Sequence, residues 1–122
     1  LLYPALKKLL IIDDDSDISD LLEMVGTDMQ LNVIKSLVLP SVEYVAKLMP
    51  DLILLDHLVR GKFGGKFCLE LKETQETKHI PVIIFSAVND VARIAEKSCA
   101  DAWLAKPFDL NDITDLITRF VG

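Results

Sequence analysis

The chain has 122 residues, 51% hydrophobic and 26% charged, with a formal net charge of −6. That size and balance suit one globular domain built around a single core. No apolar run is long enough to span a bilayer, and no segment has the basic flank, apolar stretch and small-residue cleavage site of a signal peptide. No Lys/Arg cluster beyond Lys7-Lys8 offers the phosphate contacts that nucleic acid requires.

Short apolar runs rich in Ile, Val and Leu alternate with segments of helical spacing. Residues 1–6 fit no element and read as a tag, linker or upstream remnant. The first run, Lys8–Ile12, leads directly into Asp13, Asp14 and Asp15. Ser16 is the expected N-cap of a helix in which Ile18, Leu21, Leu22 and Val25 fall at i, i+3, i+4 and i+7. A weaker run, LNVIKSL (31–37), precedes a helix bearing Val42, Val45, Ala46 and Met49, which Pro50 cannot continue. DLILLD (51–56) is followed by a Gly-rich loop and a helix through Phe67, Cys68 and Leu71. IPVIIFS (80–86) precedes a helix over about 89–97. DAWLAK (101–106) precedes a last helix with Ile113, Leu116, Ile117 and Phe120 on one face. Asp109 is its natural N-cap, with Asp112 three residues on in a capping-box arrangement. Five continuous apolar strands alternating with five helices imply an α/β domain of three layers, its parallel sheet covered on both faces.

In open α/β sheets, ligands bind beyond the carboxyl ends of the strands. Strand one ends in Asp13-Asp14-Asp15, strand three in Asp56, strand four in Ser86, and strand five in Lys106-Pro107. Strand two ends in Ser36-Leu37, which suggests no chemistry and suits a position at the sheet edge. Taken alone, each residue has a plainer reading: an acid before a helix is commonly a cap, a Ser a helix start, a Lys a solvated charge. Together they specify a chemistry. Asp13, Asp14 and Asp56 make a hard, oxygen-rich pocket of the kind that takes Mg²⁺. The formal charges of three carboxylates, one divalent cation and the Lys106 ammonium sum to zero.

Four stretches in this order, LLIIDDDSDI, PDLILLD, KHIPVIIFSA and AKPF, resemble a receiver domain of the two-component response-regulator family. The resemblance covers residues 7–121 and implies a (βα)5 flavodoxin-like sandwich with strand order 2-1-3-4-5. By that resemblance Asp56 is the phosphoacceptor, ionised as an ordinary Asp would be. Asp13 and Asp14 hold Mg²⁺ with Asp56, and the backbone carbonyl of Leu58 completes the protein's share. Ser86 and Lys106 contact the phosphoryl group, and the Lys106-Pro107 peptide is cis. Ser86 and Trp103 act as the switch pair that remodels the face made by helix four, strand five and helix five. A plain core aromatic is the other reading of Trp103.

The partners implied are a sensor histidine kinase or phosphotransfer protein and a downstream effector domain or protein. Neither nucleic acid nor membrane contacts this domain, which is cytoplasmic, and a homodimer through helix four to helix five is one family arrangement. The family is a signalling module rather than an enzyme acting on a metabolite. Cys68 and Cys99, with no CxxC or metal-ligand spacing, read as reduced core-type thiols.

The chain departs from the family pattern after Asp56. Arg60 stands at a usual Pro and Phe63 at a usual Asp, while Gly64 is kept; Cys99 replaces a common helix-ending Gly. Leu58 and Val88, two past Asp56 and Ser86, are apolar and exclude water rather than orient it, which predicts slow loss of the phosphoryl group. His57 and His79 read as surface histidines. Two other functions stay open: a metal-dependent phosphohydrolase of the haloacid dehalogenase type with Asp13-x-Asp15 as its opening motif, and a pseudo-receiver that binds partners without phosphorylation.

Overall fold

The computed structural model describes residues 5–122. The expectation for residues 1–6 therefore falls mostly outside the described part. Five strands form one parallel sheet: β1 (Lys8–Ile12), β2 (Asn32–Ser36), β3 (Leu52–Asp56), β4 (Val82–Ser86) and β5 (Ala102–Ala105). Five helices connect or follow them: α1 (Ser16–Asp28), α2 (Val42–Leu48), α3 (Gly64–Glu73), α4 (Val91–Lys97) and α5 (Leu110–Val121). The sheet order is β2-β1-β3-β4-β5, so β2 is an edge strand and β1, β3 and β4 are central. This is the flavodoxin-like α/β sandwich expected.

The three central strands are continuous apolar runs because each side of the sheet is covered, and alternate residues serve alternate faces. Leu9, Ile11, Leu52, Leu54, Ile83 and Phe85 point to the face covered by α1 and α5, meeting Leu22, Ile113 and Ile117. Leu10, Ile12, Ile53, Leu55, Val82 and Ile84 point to the other, meeting Val45 of α2, Phe67, Cys68 and Leu71 of α3, and Val91 of α4. Full burial of each branched side chain is worth about 2 kcal/mol, so these two clusters carry the fold.

Local chemistry departs from expectation at several element ends. The N-cap of α1 is Asp15 rather than Ser16: its carboxylate accepts from the N–H groups of Asp17 (3.0 Å) and Ile18 (3.3 Å). The third aspartate of the triplet is thus a helix cap, and a cap one residue earlier leaves Ser16 as the first helical residue. Asp109 caps α5 as expected, accepting from Asn111 N–H. Met49 lies outside α2, with a left-handed φ of 53°. Cys99 also adopts a positive φ, 60°, so the Cys accepts the conformation that Gly would otherwise supply. Cys68 is buried, its thiol pushed up to about 12 chiefly by desolvation, whereas Cys99 is exposed and not a core thiol.

The stretch after β3 is not a plain Gly-rich loop. Leu58–Val59 and Lys62–Phe63 pair as a two-residue antiparallel ladder. The connecting residues, Arg60 (φ 51°) and Gly61 (φ 77°), both have positive φ, the condition for the tight turn that favours two-residue hairpins. Proline, fixed at negative φ, could not stand at Arg60. Gly64 then opens α3 against the end of β3: its N–H donates to the His57 carbonyl, and a β-carbon there would run into the Asp56 backbone carbonyl. Gly64→Ala should therefore cost about 3 kcal/mol in urea unfolding, against about 1 kcal/mol for Gly61→Ala, where only the positive φ is at stake. Equal costs would mean that α3 can shift away from β3.

Candidate functional site

Because β1, β3, β4 and β5 run parallel, their carboxyl ends share one edge of the sheet. Asp13 follows β1, Asp56 ends β3, Ser86 ends β4 and Lys106 follows β5. Carboxylate oxygens of Asp13, Asp14 and Asp56 lie within 4.8 Å of one another. The Lys106 ammonium reaches both buried members, 3.3 Å from Asp13 Oδ2 and 3.3 Å from Asp56 Oδ1. It also lies over the Phe85 ring, 5.0 Å from the centroid, which adds a cation–π contact to its placement. The Lys106-Pro107 peptide is cis.

Asp13 and Asp14 are each held by a backbone N–H of a nearby loop residue. Asp13, fully buried, accepts from Asp15 N–H (2.9 Å) through its other oxygen. Asp14 is exposed, and its Oδ2 accepts from Arg60 N–H (2.8 Å). The Arg60 side chain also reaches the Leu37 carbonyl (3.4 Å), so the hairpin is tied to the loops after β1 and β2. Strand two thus contributes a carbonyl anchor, though no reactive side chain.

The electrostatics are unbalanced. Asp56 is 8% exposed, and desolvation, followed by repulsion from Asp13, pushes its carboxyl up to about 6 despite the Lys106 ammonium. It is not the ordinary Asp expected, although at pH 7 it is mostly ionised. Three carboxylates facing one ammonium leave net negative charge around closely spaced hard oxygen donors, which fits a small divalent cation. Lone hydrogen-bond donors cannot cancel that charge.

Ser86 is buried, and its hydroxyl accepts from Val88 N–H (3.2 Å), shaping the turn that leads to α4. Trp103 is 48% exposed and sits on β5 opposite Ile84, two residues back from the Ser86–Ala105 pair. A plain core aromatic is therefore excluded. Leu58 and Val88, two residues past Asp56 and Ser86, both have exposed side chains. His79 is exposed as expected, but His57 is not a surface histidine. Its Nδ1 accepts from Gly65 N–H (3.2 Å), supplying the α3 cap that Phe63 cannot, and burial holds its pKa below the usual value. Its ring stacks on Phe63 at 5.4 Å. The signal for this arrangement was present as Arg60-Gly61 between two short β-prone pairs, too brief to register against the surrounding glycines.

Residues 9–118 match the family model described as response regulator receiver domain. The chain belongs to the response-regulator receiver family. It is 38% identical over 114 residues to the DNA-binding dual master transcriptional regulator RpaA of Synechocystis sp., covering 87% of this chain but only 45% of that protein. It is 31% identical to the sporulation initiation phosphotransferase F of Bacillus subtilis, covering 94% of each. In fold, a putative response regulator from Chloroflexus aurantiacus superposes with a TM-score of 0.87 at 24% identity, covering 96% of this chain and 98% of that one. The receiver domain of a Pseudomonas aeruginosa sensor histidine kinase, solved with magnesium in its active-site cleft, superposes with a TM-score of 0.82 at 20% identity, covering 97% of this chain and 99% of that one. Receiver domains are signalling domains of two-component systems. No helix of the described residues is long and apolar enough to cross a membrane.

The raised Asp56 has a consequence for stability. Unfolded, its carboxyl ionises near the ordinary value of 3.8; folded, it ionises at about 6. The folded state thus holds its proton longer, and without a divalent cation stability falls as pH rises from about 4 to 6, staying low above that. In EDTA, Asp56→Asn should stabilise the receiver domain by about 2 kcal/mol at pH 7, with the gain fading by about pH 4. Urea unfolding at both pH values checks this; a gain that does not depend on pH would mean that ionisation of Asp56 is not its source.

Proposed function

We propose that this receiver domain accepts a phosphoryl group on Asp56 from a phosphohistidine of a sensor histidine kinase or phosphotransfer protein, in the cytoplasm. The observation that carries the reading is the convergence of Asp13, Asp14, Asp56 and Lys106 on one point at the carboxyl edge of the sheet. Asp13, Asp14 and Asp56, with the Leu58 backbone carbonyl, would hold Mg²⁺. When bound, that ion supplies neutralisation of the negative charge that gathers on the phosphoryl oxygens.

The chain's own groups do the rest. One carboxylate oxygen of Asp56 attacks phosphorus as the phosphorus–nitrogen bond of the donor breaks, and the released imidazole takes its proton from solvent. Asp56 is better placed for this than Asp13, whose side chain is fully buried with its oxygens engaged by Asp15 N–H and Lys106. That difference favours a receiver over a phosphohydrolase built on Asp13. Lys106, already against Asp56, pairs with a phosphoryl oxygen without moving far, so little reorganisation is needed.

The product carries more negative charge than the carboxylate it replaces, by analogy with other phosphorylated side chains. Ser86 would donate its hydroxyl hydrogen to a phosphoryl oxygen, giving up its contact with Val88 N–H and shifting the turn before α4. Trp103, on the neighbouring strand, would turn inward into the space left behind. The result is a two-state shift of the α4–β5–α5 face toward an effector domain, effector protein or second copy of the domain.

With Mg²⁺ and acetyl phosphate, intact mass should show one phosphoryl adduct on the wild type, none without Mg²⁺ and none on Asp56→Asn. An adduct surviving in the variant would name a different acceptor, and none on folded wild type would favour a partner-binding domain that works without phosphorylation. The exposed apolar side chains of Leu58 and Val88 cannot orient water, so the adduct should last for minutes or longer. Leu58→Asn should shorten it severalfold; loss from the wild type within seconds would contradict the role given to these two residues.

A further inference from the structure

Beside the acidic cluster lies a second feature that phosphoryl chemistry does not use. The hairpin after β3 and the first turns of α4 enclose a cleft of about 560 Å³ whose apolar lining includes Leu58, Phe63, Val88 and Ile94. Phe63 also walls a smaller depression of about 340 Å³ against α3, lined by Lys62, Lys66, Phe67 and Glu70. A single aromatic ring, 61% exposed, therefore forms the ridge between two hollows. It stacks on the His57 ring, with 5.4 Å between centroids.

The charge around this ridge runs against the rest of the chain. Arg93 and Lys97 rise from α4 at i, i+4 on one side, and Lys62 and Lys66 stand on the other. Four cations face two carboxylates, Asp90 and Glu70, on a chain whose net charge is −6. Among the described residues none of the four cations makes an ion pair. Unpaired cations flanking exposed apolar groups are complementary to an acidic, partly apolar ligand.

We propose that this ridge and its two hollows form a docking groove for an acidic peptide segment of a partner protein, with a bulky apolar side chain seated between the hairpin and α4. The cations lie on both sides of Phe63 instead of converging on one point. Because the two pairs line separate hollows, an extended segment with several carboxylates can meet both. A peptide in this position covers Leu58 and Val88. It lies on the hairpin side of α4, sharing that helix, but not β5 or α5, with the switch face.

The test is to pan a phage-displayed library of random peptides against the whole wild-type chain, with Arg93→Glu/Lys97→Glu as the counter-selection. Both substitutions sit at exposed helix positions and should leave the fold intact. Retained peptides should combine Asp or Glu with Leu, Phe or Trp. A synthetic copy of one should shift the amide resonances of residues 58–63 and 88–97, and the double variant should bind it about tenfold or more weakly, as should wild type in high salt. Phe63→Ala should also weaken it. Failure to enrich acidic peptides, shifts confined to β5 and α5, tighter binding of a single-stranded oligonucleotide, or self-association through this face in sedimentation would each overturn the proposal.

Discussion

Two buried carboxylates, Asp13 and Asp56, share one ammonium, and the rest of the site is arranged around that shortage of positive charge. Lys106 sits at the same distance from both and can neutralise only one. Asp14 adds a third negative group at the solvent edge. In water these charges would repel weakly; at the edge of a packed sheet they do so in a medium that screens poorly, which is why burial and Asp13 raise the Asp56 carboxyl. Such a cluster is unfavourable by itself. Its closely spaced oxygens could hold a divalent cation, which would offset the excess negative charge.

The fold keeps this arrangement rigid by drawing its members from different elements. Parallel strands deliver their ends to one edge, and the apolar layers on both faces prevent any strand from sliding relative to its neighbours. Asp15 pins the start of α1 by capping it, while its own N–H orients Asp13. Gly64 lets α3 close onto the end of β3 where any side chain would collide with the Asp56 backbone. The helix caps and the charged cluster are therefore one structure: the residues that begin the helices are the residues that fix the carboxylates.

The hairpin after β3 gives the domain its individual character. Its tight turn places Arg60 N–H on Asp14 and Phe63 against His57, so a departure from the family pattern is accommodated by local geometry rather than strain on the site. His57 serves as a helix cap in place of a missing side-chain acceptor. The same turn displays Phe63 between α4 and α3, with Lys62 on the α3 side.

The sequence alone determined the class of fold, the sheet order through its resemblance, and the residues at the strand ends. Continuous apolar runs such as LLII and LILL, short and alternating with segments of helical spacing, read as strands buried on both sides, and that pattern is local information. Asp13, Asp56, Ser86 and Lys106 were legible for the same reason, each ending a recognisable run. What tertiary structure alone decided depends on atoms distant in sequence. The raised Asp56 carboxyl comes from burial and from Asp13, 43 residues away by number (56 − 13). The acceptor role of His57 depends on where α3 starts, and the exposure of Trp103 on which face of β5 the helices leave uncovered. Periodicity specifies which side of its own element a residue occupies; only packing decides what stands opposite it.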